Sequence, residues 1–106
     1  MEEGITDILQ SPDESAGKNL KAEAHQLAGR LYARRLEWNM SAESFEKSAV
    51  LFKELDDIYQ LAITLYYKGQ MLGESGDQDG SNDCYLRAKE IFTRIDANGW
   101  LKRMKS

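Results

Sequence analysis

Shifted by forty residues, this chain falls onto itself. Gly29 meets Gly69, Ser41 meets Ser81, Phe45 meets Tyr85, Phe52 meets Phe92 and Asp56 meets Asp96. Along the same register Ala22 meets Ala62, Leu31 meets Met71, Tyr32 meets Leu72, Leu51 meets Ile91 and Leu55 meets Ile95. Turn, cap and core positions recur together, so the chain is built from one unit used twice. Such a unit cannot bury its apolar face alone and must stack on a neighbour.

Within each unit the apolar period is helical. Leu20, Ala24, Leu27, Ala28, Leu31, Tyr32 and Leu36 recur at helix spacing and predict a first helix over about 16–37. Asn39 and Ser41 offer cap oxygens for a second helix. That helix buries Phe45, Ala49, Leu51, Phe52 and Leu55. Asp57 followed by Gln60 fits a capping box and opens a third helix over about 58–75. "SGDQDGS" is the clearest turn, where the apolar period stops. Ser81 is placed to cap a fourth helix over about 82–96. Asn98 is placed to cap a short last one, "GWLKRMK". No segment alternates as a strand does. The expected fold class is all-α: antiparallel helical hairpins, four main helices plus a short C-terminal helix, preceded by an acidic lead-in over 1–15. The domain then runs over 16–106, with repeat one at 16–56, repeat two at 57–96 and a capping helix at 98–105. In that cap Trp100 and Leu101 are placed to lie on Ile91 and Ile95, with Lys102, Arg103 and Lys105 outward.

The pattern resembles the tetratricopeptide repeat. In that family the first helix of a unit carries a Leu-Gly pair with a large apolar residue three positions on. The second carries a small residue, an aromatic and an alanine. Here these positions hold Ala28-Gly29, Tyr32, Ser41, Phe45 and Ser48, then Lys68-Gly69, Leu72, Ser81, Tyr85 and Ala88. Lys68 replaces the usual leucine, serine twice replaces the small alanine, and the period is forty rather than the family's usual thirty-four. The chain is therefore similar to long-period variants of the family. The resemblance implies a short right-handed superhelix and a concave side lined by the first helix of each unit. By family position that side presents Gln26, Arg30, Arg34, Tyr66, Gln70 and Glu74. It implies a non-catalytic scaffold that binds a protein or peptide, with Arg30 and Arg34 sharing a helix face and suited to an acidic or carboxylate-bearing segment. The alternative is a self-assembling module, a homodimer through exposed repeat ends, because two units are fewer than stable arrays usually need.

The glycines follow from the register. Gly29 and Gly69 read as close-packing contacts, with Phe45 and Tyr85 covering the opening. Gly76 reads as a left-handed helix cap. Gly73 reads as a thin spot on the concave face that leaves room near Tyr66 and Gln70.

Nothing in the chain assembles an active site. His25 sits where the hairpin packs inward, without a nucleophile beside it. The lone Cys84 excludes an internal disulfide and a multi-cysteine metal site. Asp77, Asp79 and Asp83 lack the glycine and glutamate of a calcium loop. Gly69, Gly73 and Gly76 follow no strand and precede no Gly-Lys-Ser/Thr, so they form no phosphate loop. The expectation is no enzyme, cofactor or metal. A net charge of −4 disfavours nucleic acid and acidic membrane surfaces. The acidic start is no secretory signal, so the cytoplasm is the simplest compartment.

Overall fold

The computed structural model describes the backbone of residues 12–105 and the side chains of residues 16–105. Five α-helices follow one another: α1 (Pro12–Arg34), α2 (Trp38–Glu54), α3 (Ile58–Ser75), α4 (Gln78–Arg94) and α5 (Asn98–Lys105). No strand occurs among the described residues. Most of the lead-in, and with it the expectation for residues 1–11, lies outside them. None of the described helices is long and apolar enough to cross a membrane.

The turns set the architecture. Leu36, Asp56, Gly76 and Asp96 all have positive φ, at 62°, 55°, 101° and 56°, and they recur every twenty residues. Each is followed by a residue whose N–H reaches back to the carbonyl five positions earlier: Glu37 to Tyr32 at 2.9 Å, Asp57 to Phe52 at 2.9 Å, Asp77 to Leu72 at 2.8 Å and Ala97 to Phe92 at 2.8 Å. A left-handed residue with that bond is the Schellman closure of a helix. Four short, like turns therefore reverse the chain four times, and α1 packs on α2, α2 on α3, α3 on α4, α4 on α5, and α1 on α3.

The helix ends correct several sequence expectations. The first helix opens at Pro12, four residues earlier than expected, since proline has no N–H to leave unpaired in a first turn. It stops at Arg34 because Leu36 turns left-handed. Asn39 and Ser41 do not cap α2, whose cap residue is Glu37, and Ser81 does not cap α4, whose cap is Asp77. Asp77 accepts the N–H of Gly80 at 2.9 Å. Asp57 caps α3 as expected, accepting the N–H of Gln60 at 3.1 Å.

The serines serve the hairpins instead. Ser41 Oγ donates to the carbonyl of Gly29 at 2.7 Å, and forty residues on Ser81 Oγ donates to that of Gly69, also at 2.7 Å. A helical carbonyl keeps a second lone pair after its intrahelical bond, and only where the facing helices approach closely can a serine reach it. The glycines permit that approach. A Cβ on Gly29 would lie 2.7 Å from the Phe45 ring, and one on Gly69 would lie 3.1 Å from the Tyr85 ring and 3.2 Å from the Ser81 carbonyl oxygen. Gly73 is no opening on a concave face: its missing Cβ would meet Ser81 Oγ at 3.1 Å, so it belongs to the α3–α4 contact.

The main core lies in the second half. Ala62, Ile63, Leu65, Tyr66, Cys84, Ala88 and Phe92 form one buried cluster, joined by Leu101, Met104 and Trp100 of α5. Trp100 stacks on Phe92 with centroids 5.3 Å apart and planes 4° from parallel, and its Nε1 donates to the Tyr59 hydroxyl at 2.9 Å. The first helix behaves otherwise. Leu20, Leu27 and Leu31, apolar at helix spacing, are 69%, 53% and 49% exposed. Ala22, Gly29 and half-buried Tyr32 face the packed side in their place.

Candidate functional site

A groove of about 390 Å³ runs between α1 and α3. Four of the six residues expected on the concave side line it: Arg30 and Arg34 from α1, Gln70 and Glu74 from α3. Leu27, Leu31 and Met71 give it an apolar floor, Tyr67 one wall, and Arg103 closes it from α5. The Arg30 guanidinium lies 4.4 Å from the centroid of the Tyr67 ring. Stacked this way, an arginine keeps its edge donors for a carboxylate while its face is held by the ring. Neither Arg30 nor Arg34 has a salt-bridge partner among the described residues. Three arginines around one glutamate leave the groove positive overall, within a chain of net charge −4.

The other two expected residues have different employment. Gln26 is half-buried, and its Nε2 donates to Thr64 Oγ1 at 2.8 Å and to Gln60 Oε1 at 3.4 Å. Thr64 is fully buried, bonded to the Gln60 carbonyl at 3.0 Å and 3.3 Å from Ser48 Oγ, which donates to the Ala22 carbonyl. Gln26 is thus an internal strut tying the first helices of the two units together. Tyr66 is 9% exposed and packs against Tyr67, Trp100 and Tyr85 at 5.5, 5.4 and 5.7 Å. It forms the aromatic wall behind the groove, and its neighbour Tyr67 supplies the groove surface. The signal for Tyr67 was present: 67, 70 and 74 are spaced three and four apart, as one helix face requires. For Arg103 there was none, because only the return of α5 over Trp100 brings it in. Its side chain is exposed, and its guanidinium sits 5.0 Å from the Trp100 ring and 5.9 Å from the Tyr66 ring.

A second hollow of about 480 Å³ lies between α4 and α5, floored by Tyr66, Tyr85, Leu101 and Met104 and edged by Lys89, Arg103 and Lys105. Cys84 is buried, and desolvation pushes its thiol pKa up, which lowers the thiolate fraction and its reactivity. Desolvation also raises Tyr85, with Tyr66 adding to the rise. His25 is half-buried within the packed side of α1. No group of three or more His, Cys, Asp or Glu side chains converges on a metal-sized site among the described residues.

No protein-family model matches the chain, and neither a curated protein nor a solved structure matches it.

Proposed function

We propose that the chain is a non-catalytic binding module, stacked in the manner of a long-period tetratricopeptide array, whose α1–α3 groove takes an acidic segment of a partner protein. The observation that carries this reading is the convergence of Arg30, Arg34 and Arg103 on an apolar floor of Leu27, Leu31 and Met71. Arginine edges suit carboxylates, and the floor suits one or two aliphatic side chains between them. A cytoplasmic setting accompanies the reading, since a lone buried thiol belongs with a reducing compartment. Affinity capture from the source cells tests it, with the wild-type chain beside Arg30→Glu/Arg34→Glu. Partners held by the wild type are expected to be lost with the variant. The same partners retained by both folded chains would sink the reading.

A second reading, self-association, has its own observation. Leu20, Ala24, Leu27 and Leu31 form an exposed stripe along α1. Forty residues on, the same face of α3 holds Gln60, Thr64, Tyr67 and Met71, and Thr64 and Met71 are buried. Light scattering separates the two: a monomer at high micromolar concentration removes self-association.

A further inference from the structure

The stripe on α1 runs from Leu20 through Ala24 into the groove. Leu20 lies nearest the start; Leu27 and Leu31 are also groove floor. Lys21, Arg30 and Arg34 flank it, and all three are exposed. Glu23, also exposed, and Glu74 in the groove are the opposing charges. The track is thus apolar along its middle and mainly cationic at its edges, and it begins at Leu20, eight residues after the chain enters α1 at Pro12.

The residues that precede Pro12 have the complementary chemistry. "MEEGITDILQS" carries Glu2, Glu3 and Asp7 and no base, with Ile5 between the acids and Ile8 and Leu9 after them. Lengths agree as well. At about 1.5 Å per helical residue, Leu20, Leu27 and Arg30 lie roughly 12, 22 and 27 Å from Pro12. At about 3.3 Å per extended residue, Ile8, Ile5 and Glu3 can reach roughly 10, 20 and 27 Å back from Ser11. In such an extended arrangement Ile8 and Ile5 would match Leu20 and Leu27, and Glu3 would match Arg30.

We propose that the acidic segment 1–11 is a ligand of this track in its own chain, so that the groove is self-occupied until a competing acidic partner displaces it. The inference rests on the groove reading above and supplies its regulation. Individual exposed ion pairs are weak, but a tethered segment meets its site at an effective concentration of about millimolar. A contact too weak to detect between separate molecules is therefore populated within one. A partner must outcompete the segment, which lowers apparent affinity by the unoccupied fraction and makes it salt-dependent.

The test uses the full chain with a nitroxide at Glu3→Cys; Cys84 is buried and is not expected to take the label. Amide signals of Leu27, Leu31 and Arg34 are expected to broaden more than those of Met40 and Val50 on α2, equally at two protein concentrations. Arg30→Glu/Arg34→Glu is expected to abolish the effect. In parallel, a synthetic peptide of residues 1–11 is titrated into the wild type and into Glu2→Lys/Glu3→Lys/Asp7→Lys. Binding about tenfold tighter to the charge-reversed chain is expected. Equal peptide binding to both chains, with no selective broadening, overturns self-occupancy and leaves the groove reading standing. Broadening that grows with concentration overturns it in favour of contact between copies. If the peptide binds neither chain and no selective broadening appears, the groove reading falls too.

Discussion

In the first hairpin, α1 and α2 are joined through hydroxyls: Ser41 to Gly29, and Ser48 to Ala22 with Thr64 alongside. In the second, the counterpart of Ser48 is Ala88, fully buried, and the counterpart of Phe45 is the half-buried Tyr85 in a ring cluster with Tyr66 and Trp100. Each hairpin has a glycine under an aromatic ring. Phe45, 1% exposed, would lie 2.7 Å from a Cβ on Gly29, whereas Tyr85 would stand 3.1 Å from one on Gly69. The same register thus yields a tight joint held by two serine hydroxyls, and a looser one that keeps only Ser81 on the Gly69 carbonyl and has aromatic area in place of the second. Position in the stack explains the contrast: α3 covers the first joint, while the short α5 leaves the second partly open.

Truncating the paired aromatics tests the contrast most severely. Phe45→Ala is expected to cost about 3–5 kcal/mol by denaturant unfolding, and Tyr85→Ala roughly half as much, because only Phe45 is fully enclosed. Equal losses would mean the two joints are covered alike. Next come the glycines. Gly29→Ala forces the enclosed Phe45 ring aside, an overpacking cost of about 3 kcal/mol against roughly 1 kcal/mol of regained helix propensity. Gly69→Ala needs shifts of only a few tenths of an ångström, and its net effect is expected near zero. A larger loss at Gly69 than at Gly29 would reverse the assignment of tight and loose.

Ser48→Ala is expected to cost about 1 kcal/mol, since the Ala22 carbonyl keeps its helical bond. Ala88→Ser, placing the same hydroxyl in the second hairpin, gains nothing unless the Ala62 carbonyl lies equally near. The smallest effect is alkaline. Burial raises both Cys84 and Tyr85 on α4. A raised folded-state pKa on an acid means that the folded form holds its proton more tightly. The contribution is therefore complete below the unfolded-state values and is lost as pH rises through the folded ones. The second hairpin should weaken first in alkali, and Tyr85→Phe should move the alkaline midpoint upward. An unmoved midpoint would mean that ionisation elsewhere governs the transition.

Much of this was legible in the residues. The third helix was read at about 58–75 and spans Ile58–Ser75, because Asp57 marks one end and a left-handed glycine the other. Gly29 and Gly69 were found by register alone. The misreadings share a cause: periodicity reports that a helix face is apolar, not what lies against it. Leu20, Leu27 and Leu31 keep perfect helical spacing, yet no preceding unit among the described residues covers them. Ser41 and Ser81 looked like caps because serine often caps helices, and only the closeness of two helices turns their hydroxyls onto a glycine carbonyl. Of the six residues expected on the concave side by family position, Arg30, Arg34, Gln70 and Glu74 line the hollow between α1 and α3. Tyr66 does not, since neighbouring tyrosines lie about 100° apart around a helix and which of them faces the groove is settled by the rings packed behind.

The left-handed residues at 36, 56, 76 and 96 have a mechanical consequence. Each reversal is short and closed by backbone hydrogen bonds, so the described chain holds little slack between helices. Stretched between Pro12 and Lys105 in an optical trap, the described residues have no compliant segment to pay out before a helix detaches. Extension should come in steps of one helix and its turn, roughly 70 Å of contour for twenty residues. The first step belongs to α1, on which only Ala22 and Gly29 are buried among the described side chains.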